Sequence, residues 1–182
     1  MEKMEFEILY AINNLHNPIL DKIMIAITSL GNAGLIWIGI AVGLLFIKKT
    51  RKCGILILIS LVLGLILGNG ILKNLIARER PCWIDTTIPL LIPNPHDFSF
   101  PSGHTLASFE AAVMIYLHNK KWGKISFVLA VLIAFSRMYL FVHFPTDIIC
   151  GAALGSLISI LLYDGYEIIK SKKTNEEKEV KE

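Results

Sequence analysis

Long apolar blocks without Asp, Glu, Lys or Arg are the feature that most limits how this chain can fold. The blocks extend over roughly 16 to 25 residues, and about 20 helical residues cross the hydrocarbon core of a bilayer. Because hydrocarbon cannot hydrogen-bond to the backbone, segments that cross it must be helices or closed barrels. Only 18% of the 182 residues are charged, against about 25% in soluble domains. The sequence therefore predicts an all-α, polytopic membrane bundle.

Five apolar blocks are predicted to be transmembrane helices. They are Ile23–Ile47, Cys53–Leu72, Thr105–Leu117, Ile125–Ser136 with an extension to Val142, and Ile148–Tyr163. The third block is interrupted by Glu110, but its neighbours are apolar and Pro101 is well placed near a helix N-terminus.

The N-terminal segment, residues 4–22, contains too many charged and amide side chains to cross a membrane. Its apolar residues fall roughly on one helical face, and Asn17-Pro18 ends the pattern. This arrangement is typical of an amphipathic helix that lies in the membrane interface. The segment has no continuous apolar stretch before a small-residue cleavage site, so we expect no cleaved secretion signal.

Lys and Arg in the short loops predict the orientation of the bundle. Three loop or tail segments on one side are basic: residues 48–52, 120–124 and 170–173. With five spans, these segments fall on the same side, which is then cytoplasmic. The loop at 74–104 must face outward. Because the basic residues sit at the ends of spans, the net charge of +3 indicates orientation and not nucleic-acid binding.

The chain is predicted to form a single membrane domain over residues 1–170. Residues 171–182 are a polar run of mixed charge and are predicted to be a disordered cytoplasmic tail. The three cysteines, Cys53, Cys82 and Cys150, have neither metal-ligand spacing nor a readable disulfide pattern.

Polar residues at the predicted outer side form three clusters whose chemistry suits a dianion. The clusters are Lys73 with Arg80, Ser102-Gly103-His104, and Arg137 with His143 and Asp147. If the second helix continues, residues seven apart can share one face. Arginine forks bind phosphate oxygens in pairs, and a helix N-terminus attracts anions. Two imidazoles add nucleophilic and acid–base chemistry, and the clusters together predict a phosphate-processing site.

The same residues resemble a three-part family signature. Its parts are Lys73-x6-Arg80-Pro81, Pro101-Ser102-Gly103-His104 and Ser136-Arg137-x5-His143-x3-Asp147. All three occur in order, across residues 73–147, and the pattern is similar to that of the type-2 phosphatidic-acid phosphatase superfamily of membrane lipid phosphatases. The five-helix layout resembles that of small bacterial members, which implies a multi-pass protein of the bacterial cell membrane. The charge bias of the loops places its site on the outer face.

The resemblance implies a role for each residue of the signature. His143 would attack phosphorus and form a phosphohistidine, Asp147 would orient it, and His104 would protonate the leaving oxygen and then activate water. Five further residues would bind the phosphate oxygens: Lys73, Arg80, Ser102, Gly103 and Arg137. Such cation-based stabilisation is expected to work without a metal or another cofactor.

The resemblance leaves the lipid substrate open. Similar small bacterial proteins hydrolyse undecaprenyl diphosphate to the monophosphate, and we expect that substrate first. Others act on phosphatidylglycerol phosphate or phosphatidic acid. A lipid phosphotransferase and a non-enzymatic lipid transporter are further alternatives, although the sequence lacks the internal repeat common in transporters. The soluble vanadate-binding haloperoxidases share the signature, but the predicted spans argue against them.

Glu110 is not part of this signature. It lies six residues after His104, about 600° around a helix, so the two side chains point in different directions. A carboxylate at this depth is costly unless it is neutral, solvated or paired. We expect Glu110 to face the bundle interior and to form a hydrogen bond with a neighbouring helix, with Asn69 as a candidate partner.

Overall fold

The computed structural model describes residues 2–179 and is all-α, as predicted. Its helices are α1 (Glu2–Asn13), α2 (Pro18–Leu30), α3 (Leu35–Leu45), α4 (Arg51–Gly64), α5 (Lys73–Ile76), α6 (Pro81–Ile84), α7 (Gly103–His118), α8 (Lys120–Tyr139) and α9 (Pro145–Glu179). A short 3₁₀ turn, Asn32–Gly34, joins α2 to α3, and a π-helix, Leu65–Leu72, joins α4 to α5.

Three helical runs within the described residues are long and apolar enough to cross a membrane. They are Arg51–Ile84, Lys120–Tyr139 and Pro145–Lys173, and the bent pair α2–α3 makes a fourth candidate. The multi-pass membrane architecture is therefore confirmed, with three to four candidate spans. The remaining predicted span corresponds to α7, which has only 16 residues and is shorter than the usual crossing length.

The first predicted span is not one straight helix from Ile23. Asn17 caps α2 by accepting hydrogen bonds from the backbone N–H groups of Ile19 and Leu20, so the helix begins at Pro18. The axis then bends by 47° between α2 and α3. The bend contains two residues in the left-handed region, Ala33 (φ 50°) and Gly34 (φ 68°). The interfacial helix predicted over residues 4–22 is correspondingly shorter, because α1 ends at Asn13.

The second predicted span also departs from a regular helix. It passes from α4 into the π-helix and ends at Ile76, where Ala77 adopts a left-handed conformation (φ 46°). Arg80 then lies in extended backbone. The condition under which Lys73 and Arg80 would share one helical face, a helix that continues to residue 80, is therefore not met, because the chain turns away at Ala77.

The core is built around α7, which packs against α4, α8 and α9. Glycines on α9 allow the closest approach: a Cβ at Gly151 would meet the carbonyl of Ser102, and one at Gly155 would meet that of Leu106. Such small residues let membrane helices pack with their backbones close together. The consequence is that the first turn of α7 and the first turn of α9 are held side by side.

A second apolar cluster closes the same end of the bundle. Leu9 of α1 is fully buried against the turn between α8 and α9, where Phe141 and Phe144 are also buried. Phe6 packs edge-on against Phe144, with ring centroids 5.3 Å apart. The helix α1 is therefore docked on the protein as well as being amphipathic.

The C-terminal segment differs from its prediction. The structure continues α9 to Glu179, where the sequence predicts disorder from residue 171. Lys and Glu dominate this segment and are good helix formers, and α9 is already nucleated by its apolar part. Residues 180–182 lie outside the described part of the chain.

Candidate active site

A cavity of about 490 Å³ lies between the α2–α3 bend, α4 and α7 and contains most of the predicted site. The polar residues that line it are Asn69, Lys73, Arg80, Asp97, His104, Glu110, Arg137 and His143. Apolar side chains line the rest, among them Ile38, Leu58, Leu61 and Leu65. Leu58 and Leu65 precede Lys73 in the helical run Arg51–Ile84. The apolar part of the cavity therefore extends along α4, away from the cations.

His143 lies in the tight turn between α8 and α9, next to Phe141, which has a positive φ of 59°. The imidazole is almost fully buried, and its Nε2 is 3.1 Å from Nη1 of Arg80. Burial first, and then the positive charges of Arg80, Arg137 and Lys73, hold the pKa of His143 well below its ordinary value. The ring is therefore neutral at pH 7 and has a lone pair available for attack.

Asp147 is fully buried in the first turn of α9 and faces the other side of the His143 ring. Its Oδ2 is 3.5 Å from Nδ1 of His143 and accepts hydrogen bonds from Ser99 Oγ (2.5 Å) and the Phe144 N–H (2.8 Å). Ser99 Oγ is also 3.3 Å from Nδ1 of His143. The loop serine therefore takes part in the contact that the sequence assigns to Asp147 alone.

His104 lies in the first turn of α7 and lines the same cavity as His143. Its Nε2 is 3.0 Å from Oδ1 of Asn32, a residue of the α2–α3 bend. Gly31 permits this packing, because a Cβ there would lie 2.8 Å from Cδ2 of His104 and 2.9 Å from Cγ2 of Ile133. The bend in the first span is thus what brings α2 against the histidine.

The two cations of the first motif meet at one loop carboxylate. Asp97 Oδ2 is 2.5 Å from Lys73 Nζ, and Asp97 Oδ1 is 2.8 Å from Arg80 Nη2. Partial burial raises the pKa of Asp97, but hydrogen bonding and charge from Lys73, followed by Arg80, lower it further, to about 2. Asp97 is therefore ionised and partly neutralises the two cations that face the cavity.

Backbone carbonyls hold the Arg80 guanidinium in place. Nη1 donates to Val142 O (2.7 Å) and Nε donates to Asp97 O (2.7 Å). Arg137 is held differently, because its Nη1 donates to Thr28 Oγ1 (2.6 Å) while its Nε has no hydrogen-bond partner in the described structure. A buried guanidinium N–H without a partner is costly, so Arg137 retains binding capacity for an anion.

Ser102 and Gly103 form the N-terminus of α7. Gly103 lines the cavity. The Ser102 hydroxyl instead caps the helix, accepting hydrogen bonds from Thr105 N (3.4 Å) and Thr105 Oγ1 (3.0 Å). Ser102 is buried and is not one of the cavity-lining residues, so its predicted contact with phosphate stays a prediction.

Four residues around the site were not predicted from the sequence: Asn32, Arg78, Asp97 and Ser99. Arg78 lies between the two motif cations in the run Ala77-Arg78-Glu79-Arg80, and its basic character next to the motif was the only available signal. The other three lie in a helix bend or in the loop before α7. No periodicity marks such positions, since their placement depends on the tertiary fold.

Glu110 faces the interior, as predicted, but does not bond with Asn69. It is fully buried and lines the cavity, and among the described residues neither of its carboxyl oxygens has a hydrogen-bond partner. The carboxyl group lies against Gly64, leaving no room for a Cβ there. Asn69 is instead turned toward Gly103, and its Oδ1 also lacks a partner. The two side chains therefore do not satisfy each other.

Comparison with known proteins places this geometry in a family. The family model of the PAP2 superfamily matches residues 53–168. A curated relative, the undecaprenyl-diphosphatase of Sulfolobus acidocaldarius, is 38% identical over 156 residues, covering 85% of this chain and 75% of the relative.

Two solved structures have the same fold. The PAP2-type phosphatidylglycerolphosphate phosphatase of Bacillus subtilis has 33% identity and a TM-score of 0.75, covering 92% of this chain and 87% of that one. LpxE of Aquifex aeolicus has 29% identity and a TM-score of 0.79, covering 87% and 94%. With the family match over more than half of its length, the chain belongs to the PAP2 superfamily, as a membrane lipid phosphatase.

Proposed function

We propose that the protein hydrolyses a lipid phosphate through a phosphohistidine at His143, with undecaprenyl diphosphate as the first substrate to test. One observation carries this proposal. The neutral His143, His104 and three cations line one cavity, and that cavity continues into an apolar arm along α4. A phosphate headgroup suits the first part and a hydrocarbon chain suits the second.

In the proposed first step, Nε2 of His143 attacks phosphorus while His104 protonates the departing oxygen. Asp147 and Ser99 hold Nδ1 on the other side of the ring, and the Asp147 carboxylate stabilises the positive charge that develops on the imidazole. In the second step His104 removes a proton from water, and that water displaces His143 from phosphorus. His104 thus works first as an acid and then as a base.

The cations stabilise the charge that the transferring phosphoryl group carries. Arg80 is adjacent to Nε2 of His143, and Lys73 and Arg137 line the same cavity. Gly103 and Ser102 add the N-terminus of α7. Positive groups fixed in a dry site are usually a large part of catalysis. Within the described residues, no three His, Cys, Asp or Glu side chains group as metal ligands, and we propose catalysis that survives a chelator.

Two lipid classes compete for this site. Undecaprenyl diphosphate is supported by the similarity to the Sulfolobus enzyme, which covers most of both chains. Phosphatidylglycerol phosphate or phosphatidic acid is supported by the Bacillus subtilis structure of similar fold. The apolar arm offers a surface for the part of the hydrocarbon chain nearest the phosphate in either class, so the chain type is left to experiment.

Phosphate release from a panel of lipids in detergent micelles tests the proposal. We expect turnover by the full-length protein in the presence of EDTA, inhibition by vanadate, and none with His143→Ala. His104→Ala should accumulate a phosphoenzyme from a substrate with a good leaving group.

Other outcomes would contradict the proposal. Acid-labile phosphate on the His143→Ala protein would contradict the assignment of His143 as the nucleophile. Transfer of phosphate to an added alcohol instead of water would indicate a phosphotransferase. Lipid movement across vesicles by the inactive variant would indicate transport.

We further propose a five-span topology with the site outward, in a cell membrane. Here α7 is the additional span, surrounded by the longer helices and so protected from lipid along much of its length. A cysteine at Thr86 should react with an impermeant maleimide in intact cells, whereas one at Lys121 should not, in a background without the native cysteines. The reverse labelling pattern would place the site in the cytoplasm.

A further inference from the structure

The two carboxyl oxygens of Asp147 have different partners. Oδ2 faces His143 and bonds with Ser99 and the Phe144 N–H. Oδ1 accepts a hydrogen bond from Nη1 of Arg78 at 2.8 Å. One oxygen thus serves the histidine, while the other is held by a cation outside the known motif.

Three other groups fix the Arg78 guanidinium. Nη2 donates to Glu5 Oε2 (2.6 Å) and Nη1 also donates to Thr146 Oγ1 (2.6 Å). The guanidinium carbon lies 4.0 Å from the centroid of the Phe144 ring. A planar guanidinium with several fixed donors is well suited to orient carboxylates. Arg78 is therefore an oriented bridge between α1 and the first turn of α9.

Glu5 completes this bridge from the N-terminal helix. It is 3% exposed, and its Oε1 accepts hydrogen bonds from Thr146 N (3.1 Å) and Thr146 Oγ1 (2.6 Å). Burial raises the pKa of Glu5, but the bonds from Thr146 and the contact with Arg78 lower it below its ordinary value. Glu5 is thus ionised, and the guanidinium is shared between two buried carboxylates.

Arg78 does not face the substrate cavity. Lys73, Arg80 and Arg137 line that cavity, whereas Arg78 and Asp147 do not. The direct contact of Arg78 with the proposed reaction centre is the hydrogen bond to Asp147. We propose that Arg78, held by Glu5 of α1, is a positioning residue that fixes Asp147 against His143, so that α1 forms part of the catalytic apparatus.

This inference rests on the proposed role of His143 as the nucleophile. If it is correct, Arg78 variants lose turnover and not phosphate binding. We expect Arg78→Gln to lower kcat about 100-fold and Glu5→Gln about 10-fold, by analogy with the roughly 10- to 100-fold losses found when outer partners of metal ligands are removed. KM and the inhibition constant of vanadate should stay within about threefold of wild type, because the cavity is untouched. Arg78→Lys should recover part of the loss.

A double variant separates positioning from general damage. Because Arg78 acts through Asp147, Arg78→Gln should lower kcat by less than about threefold when Asp147 is already Asn. Residual turnover can be followed with an activated aryl phosphate. Arg51→Gln is the matched control and should leave kcat unchanged. The side chain of this exposed arginine donates a hydrogen bond to Leu45 O and, in the described part of the chain, to no other group.

The outcomes that overturn the inference are distinct from those that overturn the proposed function. A loss of vanadate affinity equal to the loss of kcat would make Arg78 a phosphate ligand. If Arg78→Gln lowers kcat equally in the wild-type and the Asp147→Asn backgrounds, the effect of Arg78 is structural. Unchanged kcat in Arg78→Gln, with an inactive His143→Ala, would remove this inference alone. If Arg78→Gln fails to fold, Arg78→Lys and Glu5→Gln carry the same comparison. Turnover by His143→Ala would instead remove the proposed function.

Discussion

His143 lies in the α8–α9 turn and Asp147 in the first turn of α9, and their facing atoms, Nδ1 and Oδ2, are 3.5 Å apart. The hydroxyl of Ser99 lies within 2.5 Å of Oδ2 and 3.3 Å of Nδ1. A residue of the loop before α7 therefore helps to hold His143, the proposed nucleophile, in position.

The first prediction concerns Ser99. Removing its hydroxyl in Ser99→Ala takes a hydrogen bond from Asp147 and loosens the His143 ring. We expect kcat for phosphate release to fall about 10-fold or more, as when outer partners of reactive groups are removed. Ser60→Ala is the control, because Ser60 is also fully buried but its hydroxyl donates to Ile57 O of its own helix and to none of the site residues named above. Equal activity of both variants would mean that Ser99 only fills space.

The second prediction concerns the bend in the first span. Gly31→Ala places a methyl group 2.8 Å from His104 Cδ2, so the imidazole must move away from Asn32. Displacing a reacting group by about 1 Å can cost about 100-fold in rate, and we expect a loss of kcat of that order. Gly39→Ala is the matched control on the same bent pair, because its Cβ would meet nothing within 4 Å. Full activity in Gly31→Ala would show that His104 needs no fixed position.

The third prediction uses the acidity of Asp97. Its pKa of about 2 lies below the ordinary value of 3.8, so its stabilising contribution is complete above about pH 4 and is lost as the pH falls toward 2. Asp97→Asn should therefore lower the melting temperature in detergent at pH 6, and the difference from wild type should shrink as the pH falls. Asp164→Asn, at an exposed position on α9, should show no such trend. A constant difference at every pH would contradict the ion-pair explanation.

The fourth prediction concerns Glu110. A buried carboxyl group without hydrogen bonds costs roughly 1–3 kcal/mol, so Glu110→Met, of similar shape, should raise the melting temperature. Glu110→Gln keeps an unsatisfied polar group at the same place and should not. This differs from the expectation from sequence, in which Glu110 forms a hydrogen bond with a neighbouring helix. A lower melting temperature in Glu110→Met would indicate that the carboxyl group has a stabilising partner after all.

The sequence alone determined the class of fold and the phosphatase family of the chain. The charge-free blocks are as long as helices that cross a bilayer. In hydrocarbon the backbone must satisfy its own hydrogen bonds, and blocks of this length do so as helices packed in a single bundle. The motif residues include Lys73, His104 and His143, which are polar where a membrane protein favours apolar side chains. Polar residues at such positions indicate a functional site. All three line the same cavity.

Only the tertiary structure decided how these groups are held. Ser99 and Asp97 come from a loop without periodicity, and Asn32 reaches His104 because the first span bends at Gly31–Gly34. Arg78 meets Glu5 from 73 residues away in sequence. Contacts of this kind depend on how separate helices pack and where loops fold back. Local patterns of hydrophobicity and charge specify helices, but they carry no information about which distant side chains meet.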